Sequence, residues 1–516
     1  MSLQEKAIED AKTGHVESKL VASPEGISTD SSMASQFRNL WKYRRSFLAA
    51  MGCSTTPILI GYDLTLVGSI IANKEFVATF GTYDSAVSNT ILPADHQLVW
   101  TVVQFVAAAV CAFLSGYLND FMGRRSCFFL TVFLTIAGTI TELFSNNWKI
   151  WIVAKLLMGA AMGSMQGNTQ TYVSEVTPVE IRGFALSLFQ FWIILGSLLA
   201  ACVLQGTTSI DGPWSWKAAI VTQVGPAALC LLIFIPFVPE SPYYLVQKGQ
   251  LDRARKAVQK LRSSEAGFDP EEEVRTMKAT LDHERQQRAE AKQPSYLECF
   301  QGTDLRRTLV ACLPVVMQLF MGYPLCGNYL AYFLSMSGID DAFLITVISI
   351  LCSLVSAGIA FVLIERVGRR PQILIGVYGM LVCLLIVGLL GFFGRGELWN
   401  NRALSAFCII WAVFYYMSVG AVGWTIVGEI SSSRLRAKTT SLAAISSSIF
   451  NMGWSIAIPY LVNAEEANLG PKTGLIFLGF GVFLGVAAFV SIPETKGKTF
   501  EELDNLFAAR VSARKF

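Results

Sequence analysis

The feature that most constrains this chain is a series of apolar blocks with nearly all of its charge pushed between them. The blocks are near or above the roughly 20 residues needed to cross a hydrocarbon core. A backbone in lipid must satisfy its own N–H and C=O groups, so such blocks read as spanning helices. Twelve spans can be placed, at 46–70, 97–118, 126–146, 149–170, 184–205, 216–238, 308–335, 341–363, 371–393, 402–428, 438–462 and 471–491. Composition agrees. Of 516 residues, 53% are hydrophobic and only 15% charged, against about a quarter charged in soluble chains, and mean hydropathy is +0.47. The expected fold class is therefore all-α integral membrane.

An even number of spans leaves both ends of the chain on one side. Lys42, Arg44 and Arg45 abut the first span, and the positive-inside rule assigns that side to the cytoplasm. Connections expected there carry Arg124 and Arg125, then Arg182, then Arg366, Arg369 and Arg370, then Arg434, Arg436 and Lys438. The opposite connections are poor in basic residues: 71–96 has only Lys74, and 206–215 has none. Arg395 and Arg402 run against the pattern without reversing it. No apolar core follows Met1, so the first span is expected to direct insertion in place of a cleavable leader. The expected segments are a polar tail (1–45), a six-span bundle (46–238), a linker (239–307), a second six-span bundle (308–491) and a tail (492–516). Within the linker, QLDRARKAVQKLR reads as an amphipathic surface helix.

Three patterns occur twice, at a nearly constant separation of about 250 residues. Asp120, Gly123, Arg124 and Arg125 return as Glu365, Gly368, Arg369 and Arg370. Glu175 followed by Arg182 returns as Glu429 followed by Arg436, and Pro239-Glu240-Ser241 returns as Pro493-Glu494-Thr495. Each copy follows the second, fourth or sixth span of its bundle. Three matches in order imply duplication, hence two pseudo-symmetric six-helix bundles with a solute site between them, as in carriers built from parallel repeats. Taken singly, Gly-Arg-Arg is only a tight turn bearing topology-setting charge. Taken together with matched carboxylates, the set suits a gate of Arg–carboxylate pairs running between the bundles.

These stretches resemble the sugar porter family of the major facilitator superfamily along all twelve spans. The resemblance rests on GYD at 61–63, DFMGRR at 120–125, SEVTPVEIRG at 174–183 and PESPYYLVQKG at 239–249. It continues in ERVGRR at 365–370, GEISSSRLRAKT at 428–439 and PETKGKTFEEL at 493–503. The polar tail and the tenth and eleventh spans are most similar to fungal members. The resemblance implies a major facilitator fold working by alternating access. It also implies that Asp120, Gly123, Arg124, Arg125, Glu175, Arg182, Glu240, Glu365, Gly368, Arg369, Arg370, Glu429, Arg434, Arg436 and Glu494 form a cytoplasmic gate.

Asp63 lies about 17 residues, or roughly 25 Å, along the first span. A charge near mid-bilayer costs about 2.5–3.5 kcal/mol on insertion scales and normally has a partner or a task. Lys155, in the fourth span, reaches comparable depth. The resemblance implies that this pair couples transport to protons, with Lys155 where the family places an Arg. No span holds a histidine, since the chain has only His15, His96 and His283. The family's solute-binding amides and aromatics fall at Gln190, Gln318, Asn328, Trp424 and Asn451. Its helix-seven Gln pair falls instead at Met321 and Gly322, an Asn at Gly327, an acid at Tyr416 and a helix-eight Asn at Ser353. A site so altered is expected to take a larger glycoside, a polyol or a less hydroxylated solute rather than glucose in the usual pose. Gly159, Gly163 and Gly167 in the fourth span read as close helix packing.

The expected function is plasma-membrane transport of a sugar or sugar-like solute, coupled to protons; export of a fungal secondary metabolite is the alternative. A receptor role fits poorly, because only about a dozen residues follow the Phe-Glu-Glu-Leu stretch, too few for a signalling domain. The eleven cysteines show no metal-ligand spacing, and no nucleophile–base set or nucleotide loop is present. No enzyme activity, metal, cofactor or nucleic acid is therefore expected. The partners are the solute, protons and the bilayer, with a monomer as the working unit.

Overall fold

The computed structural model describes residues 41–84, 89–262, 269–290, 296–339, 341–393, 397–431, 435–463, 467–496, 500–509 and 511–513. Among these, eleven helical stretches are long and apolar enough to cross a membrane. The first combines α1 (Arg44–Ser54) and α2 (Pro57–Ile70). Pro57 has no N–H to donate, and Thr55 and Thr56 place their hydroxyls on Gly52 O at 2.8 Å and Cys53 O at 2.9 Å. The helix thus interrupts its ladder while keeping these carbonyls paired.

The connection after the first span is not a plain loop. Asn73 accepts from the backbone N–H groups of Glu75 and Phe76 and caps α3 (Lys74–Phe80). An antiparallel hairpin follows, β1 (Thr82–Asp84) with β2 (Asn89–Ile91), Thr82 facing Ile91. Among the described residues, this hairpin is the only sheet. Spans two to five are α4 (Ala94–Met122), α5 (Arg124–Leu143), α6 (Trp148–Val176) and α7 (Val179–Thr207). The sixth is α8 (Trp214–Val221) with α9 (Val224–Phe237).

Helices α10 (Pro242–Gln247), α11 (Leu251–Arg262) and α12 (Pro270–Glu290) make up the linker. Ala254, Ala257 and Val258 of α11 pack with Leu245, Val274 and Met277. The amphipathic stretch therefore covers its apolar face against its neighbours.

The seventh span departs from the single helix expected over 308–335. It consists of α13 (Gly302–Phe320), a π-turn at Pro324–Asn328 and α14 (Leu330–Met336). Gly322 adopts φ +95° at the break, and Pro324 lacks the N–H that would continue the ladder. The remaining spans are α15 (Ala342–Arg366), α16 (Arg369–Leu390), α17 (Leu398–Met417) with α18 (Val419–Ile430), α19 (Arg436–Val462) and α20 (Thr473–Ser491). Helix α21 (Phe500–Ala508) follows and rests on α13.

The fourth-span glycines have the role expected of them. A Cβ on Gly159 would lie 2.2 Å from Gln104 O, and one on Gly163 2.0 Å from Ala108 O, so α6 and α4 meet backbone to backbone. Between the two groups of six spans, α4 packs on α19 and α7 on α15. At the end away from the Gly-Arg-Arg turns, one apolar core joins both groups: Tyr62, Leu66 and Ile70 belong to the same cluster as Leu325, Tyr329, Leu330 and Phe333. At the basic end, Ala49, Phe128, Tyr172 and Val176 of the first group cluster separately from Val315, Val427 and Ala443 of the second. The first group thus keeps a separate core at the basic end, while the core that joins the two groups runs on to Ile373, Ile430 and Ile492 beside the second Gly-Arg-Arg turn.

Candidate functional site

The three duplicated patterns converge on one junction in each group of spans. In the first, Gly123 turns at φ +91° and begins α5. Glu240 Oε1 accepts from the backbone N–H groups of Arg124 at 3.0 Å and Arg125 at 3.2 Å, capping that helix with a carboxylate. The Arg124 guanidinium donates to Glu175 at 2.8 Å and pairs with Asp120 at 3.3 Å. The hydroxyl of Ser241 donates to the other oxygen of Glu175. The Arg125 guanidinium caps α9 by donating to Ile235 O at 3.0 Å.

The second junction is built the same way. Gly368 turns at φ +98°, and Glu494 accepts from the N–H groups of Arg369 at 3.0 Å and Arg370 at 3.1 Å. Arg369 pairs with Glu429 at 3.0 Å, and Thr495 donates to Glu429 at 2.5 Å. Arg370 donates to Phe489 O at 2.8 Å, as Arg125 does to Ile235 O. Both turns require glycine twice over: φ is left-handed, and a Cβ would lie 2.6 Å from Glu240 Oε2 or 2.7 Å from Glu494 Oε2. The duplication legible in sequence is a duplication of contacts.

One expectation is corrected here. The Arg–Glu pairs were expected to run between the bundles, but both described pairs, Arg124–Glu175 and Arg369–Glu429, stay within one group of spans. Each acid lies on the helix beside its own Gly-Arg-Arg turn, so the shorter reach wins. Arg182 also turns inward, donating to Thr177 O at 3.3 Å. Arg434 and the side chains of Glu365 and Arg436 lie outside the described residues.

A second cluster lies inside the first group of spans. Asp63 and Lys155 approach as expected, Nζ to Oδ1 at 3.7 Å. The nearer partner of Lys155 is Glu142 of α5, which accepts from Nζ at 2.5 Å. Gln104 of α4 donates to Asp63 Oδ2 at 2.6 Å. All three charged residues are buried: Lys155 and Glu142 are 0% exposed and Asp63 3%. Glu142 was missed by the sequence reading, though a lone carboxylate within the third apolar block was a signal in plain view. Toward the far end, Trp151 lies one turn from Lys155, its ring 5.1 Å from Nζ. Phe76 and Phe80 of α3 sit against Trp151 at 5.2 and 5.3 Å, with Trp216 at 5.5 Å from each. An aromatic box thus covers that side of the ion cluster.

The expected solute residues are spread over both groups. Gln190 is half-buried on α7. Gln318 donates to Val419 O at 2.9 Å, across the break between α17 and α18. The backbone carbonyl of Asn328, in the π-turn, meets Gly68. Trp424 is 41% exposed, and Asn451 holds a buried Oδ1 with no hydrogen-bond partner among the described residues. Tyr416 contacts Tyr415 edge to face at 5.0 Å. It adjoins a stack the sequence did not announce, in which Tyr415 lies between Tyr323 at 4.9 Å and Trp411 at 5.2 Å. Trp411 Nε1 donates to Met321 O at 2.9 Å and ties this stack to the broken seventh span.

Two groups of six spans, matched junctions at one end and a buried ion cluster define a membrane carrier of the major facilitator kind. The chain belongs to the family described as Sugar (and other) transporter, whose profile matches residues 48–507. It is 31% identical over 483 residues to a general alpha-glucoside permease of Saccharomyces cerevisiae, covering 92% of this chain and 77% of that protein. It is 29% identical to the MFS transporter fmqE of Aspergillus fumigatus, over 88% of this chain and 84% of that one. Among solved structures, the inward open conformation of the xylose transporter XylE from E. coli matches with a TM-score of 0.71. That match is 22% identical and covers 89% of this chain and 99% of the other.

Proposed function

We propose that this chain carries a sugar larger than a hexose, of the α-glucoside class, across the plasma membrane together with a proton. The basic end faces the cytoplasm, and residues 46–238 and 308–491 rock about the solute as two units. The observation that carries the coupling is the buried cluster of Asp63, Lys155 and Glu142, since ionisable groups inside a span are costly, hence rare, and commonly mark a solute or proton path. The glucoside class is supported by 31% identity to the yeast alpha-glucoside permease. It is also supported by Met321, Gly322 and Gly327, which shorten the side chains or withdraw the amides that a compact hexose site would use. No step needs a cofactor or enzyme chemistry.

The test is uptake of radiolabelled maltose, glucose and a polyol into yeast lacking its own sugar carriers, with external pH recorded. Maltose uptake that alkalinises the medium, with Asp63→Asn losing the alkalinisation, is the expected result. Correctly placed protein that takes up none of the sugars favours the second reading, export of a secondary metabolite. That reading draws on the likeness to fmqE.

A further inference from the structure

Two carboxylates face a single ammonium inside the first group of spans, and they do not share it equally. Lys155 Nζ is 2.5 Å from Glu142 Oε1 and 3.7 Å from Asp63 Oδ1. Oδ1 of Asp63 and Oε2 of Glu142 are both buried with no hydrogen-bond partner among the described residues. With all three groups ionised the cluster carries an excess negative charge, in a site that Gln104 closes with a neutral amide. Tyr329 of the broken seventh span also faces Lys155, and the following charged groups on the surrounding helices are engaged elsewhere. Asp95 accepts from the His96 N–H, Lys149 stacks on Trp148 and Lys217 on Trp216. Arg124 and Glu175 pair with each other at the opposite end of α5 and α6.

We propose that Glu142 is a positioning residue that holds Lys155 away from Asp63, and so leaves Asp63 free to take up the transported proton. This rests on the proton-coupled reading above. The ammonium has three N–H donors, but its short contact, 2.5 Å, goes to Glu142, and Asp63 keeps only the longer one at 3.7 Å. With Glu142 holding it, Lys155 leaves Asp63 as the less closely paired carboxylate of the two. When Asp63 is protonated, Lys155 still has its counter-ion, so the buried ammonium is never left alone. The chemistry is a reversible proton transfer from hydronium: one O–H bond of the hydronium breaks, one forms on Asp63 Oδ1, and water is left behind.

The experiment is an infrared pH titration of purified protein in lipid vesicles, reading the band of buried protonated carboxyl groups without any solute. The band lost in Asp63→Asn identifies the titration of Asp63. In Glu142→Gln, Lys155 is released to Asp63, and the midpoint of that band should move to lower pH by about one unit or more, the size expected for one near charge. Glu142→Asp keeps the charge and should keep the wild-type midpoint, which damage to packing alone would not achieve. If Glu142→Gln cannot be purified, Lys155→Arg, whose planar fork can reach both carboxylates, should likewise move the midpoint to lower pH. An unmoved midpoint in Glu142→Gln, or no band lost in Asp63→Asn, overturns the proposal. Wild-type protein that takes up no sugar would sink the sugar reading and leave this titration to be judged by itself.

Discussion

Lys155 is the residue on which the first group of spans most depends, because its removal strands two carboxylates. Breaking a buried pair by deleting one partner costs about 3–5 kcal/mol. Lys155→Met is therefore expected to lower the detergent melting temperature sharply and to reduce the protein reaching the membrane. Lys155→Arg, which keeps the charge, should be far milder. Fluorescence-detected size exclusion after heating separates the two; equal melting of Lys155→Met and wild type would count against a paired cluster. The Asp63–Lys155 approach was legible because both are charges within apolar blocks. Glu142 satisfies the same criterion, but the family pattern supplied a partner for Lys155 and drew attention from its neighbour on α5. The Tyr323–Tyr415–Trp411 stack was not legible, since aromatic residues spread over apolar spans have no period that tells packing from a site.

Among the elements, the two junctions act as clasps between helices. A hydrogen bond to a charged group contributes about 1.5–3 kcal/mol. Glu175→Gln and Arg125→Ala should each lower the initial uptake rate about tenfold or more, while surface labelling shows normal insertion. Normal rates in both would remove any working role for the junction. The sequence read these contacts well because acids, arginines and glycines at helix ends have few alternative tasks. It misjudged which helices they join, since spacing along the chain does not say which of two neighbouring bundles a side chain reaches. The α4–α6 seam offers a sharper test: Gly159→Leu puts atoms where Gln104 O already lies, so folded protein should fall steeply. The interrupted seventh span escaped the reading because Gly and Pro are tolerated in membrane helices, and neither residue alone announces a break.

For the molecule as a whole, an apolar core packs the two groups of spans against each other at the far end. Gly68 lies there against Asn328, a Cβ falling 2.1 Å from its carbonyl oxygen. Gly68→Leu should wedge the two groups apart at that end and favour the conformation open there. Solute exchange should stop, while labelling of a cysteine introduced at Leu66 by a water-soluble reagent should rise. Unchanged labelling with normal transport would show that the contact does not gate.

The break at Gly322 has an echo in the first span. Gly61-Tyr62 leads there into Asp63, and in the seventh span Gly322-Tyr323 leads into Pro324. If both descend from one ancestral stretch, duplication left the copies free to specialise. In the first span the residue after Gly-Tyr is a carboxylate; in the seventh it is an imino acid that cannot continue the helix. The function proposed above would then place the answer to protons in one copy and the change of shape in the other.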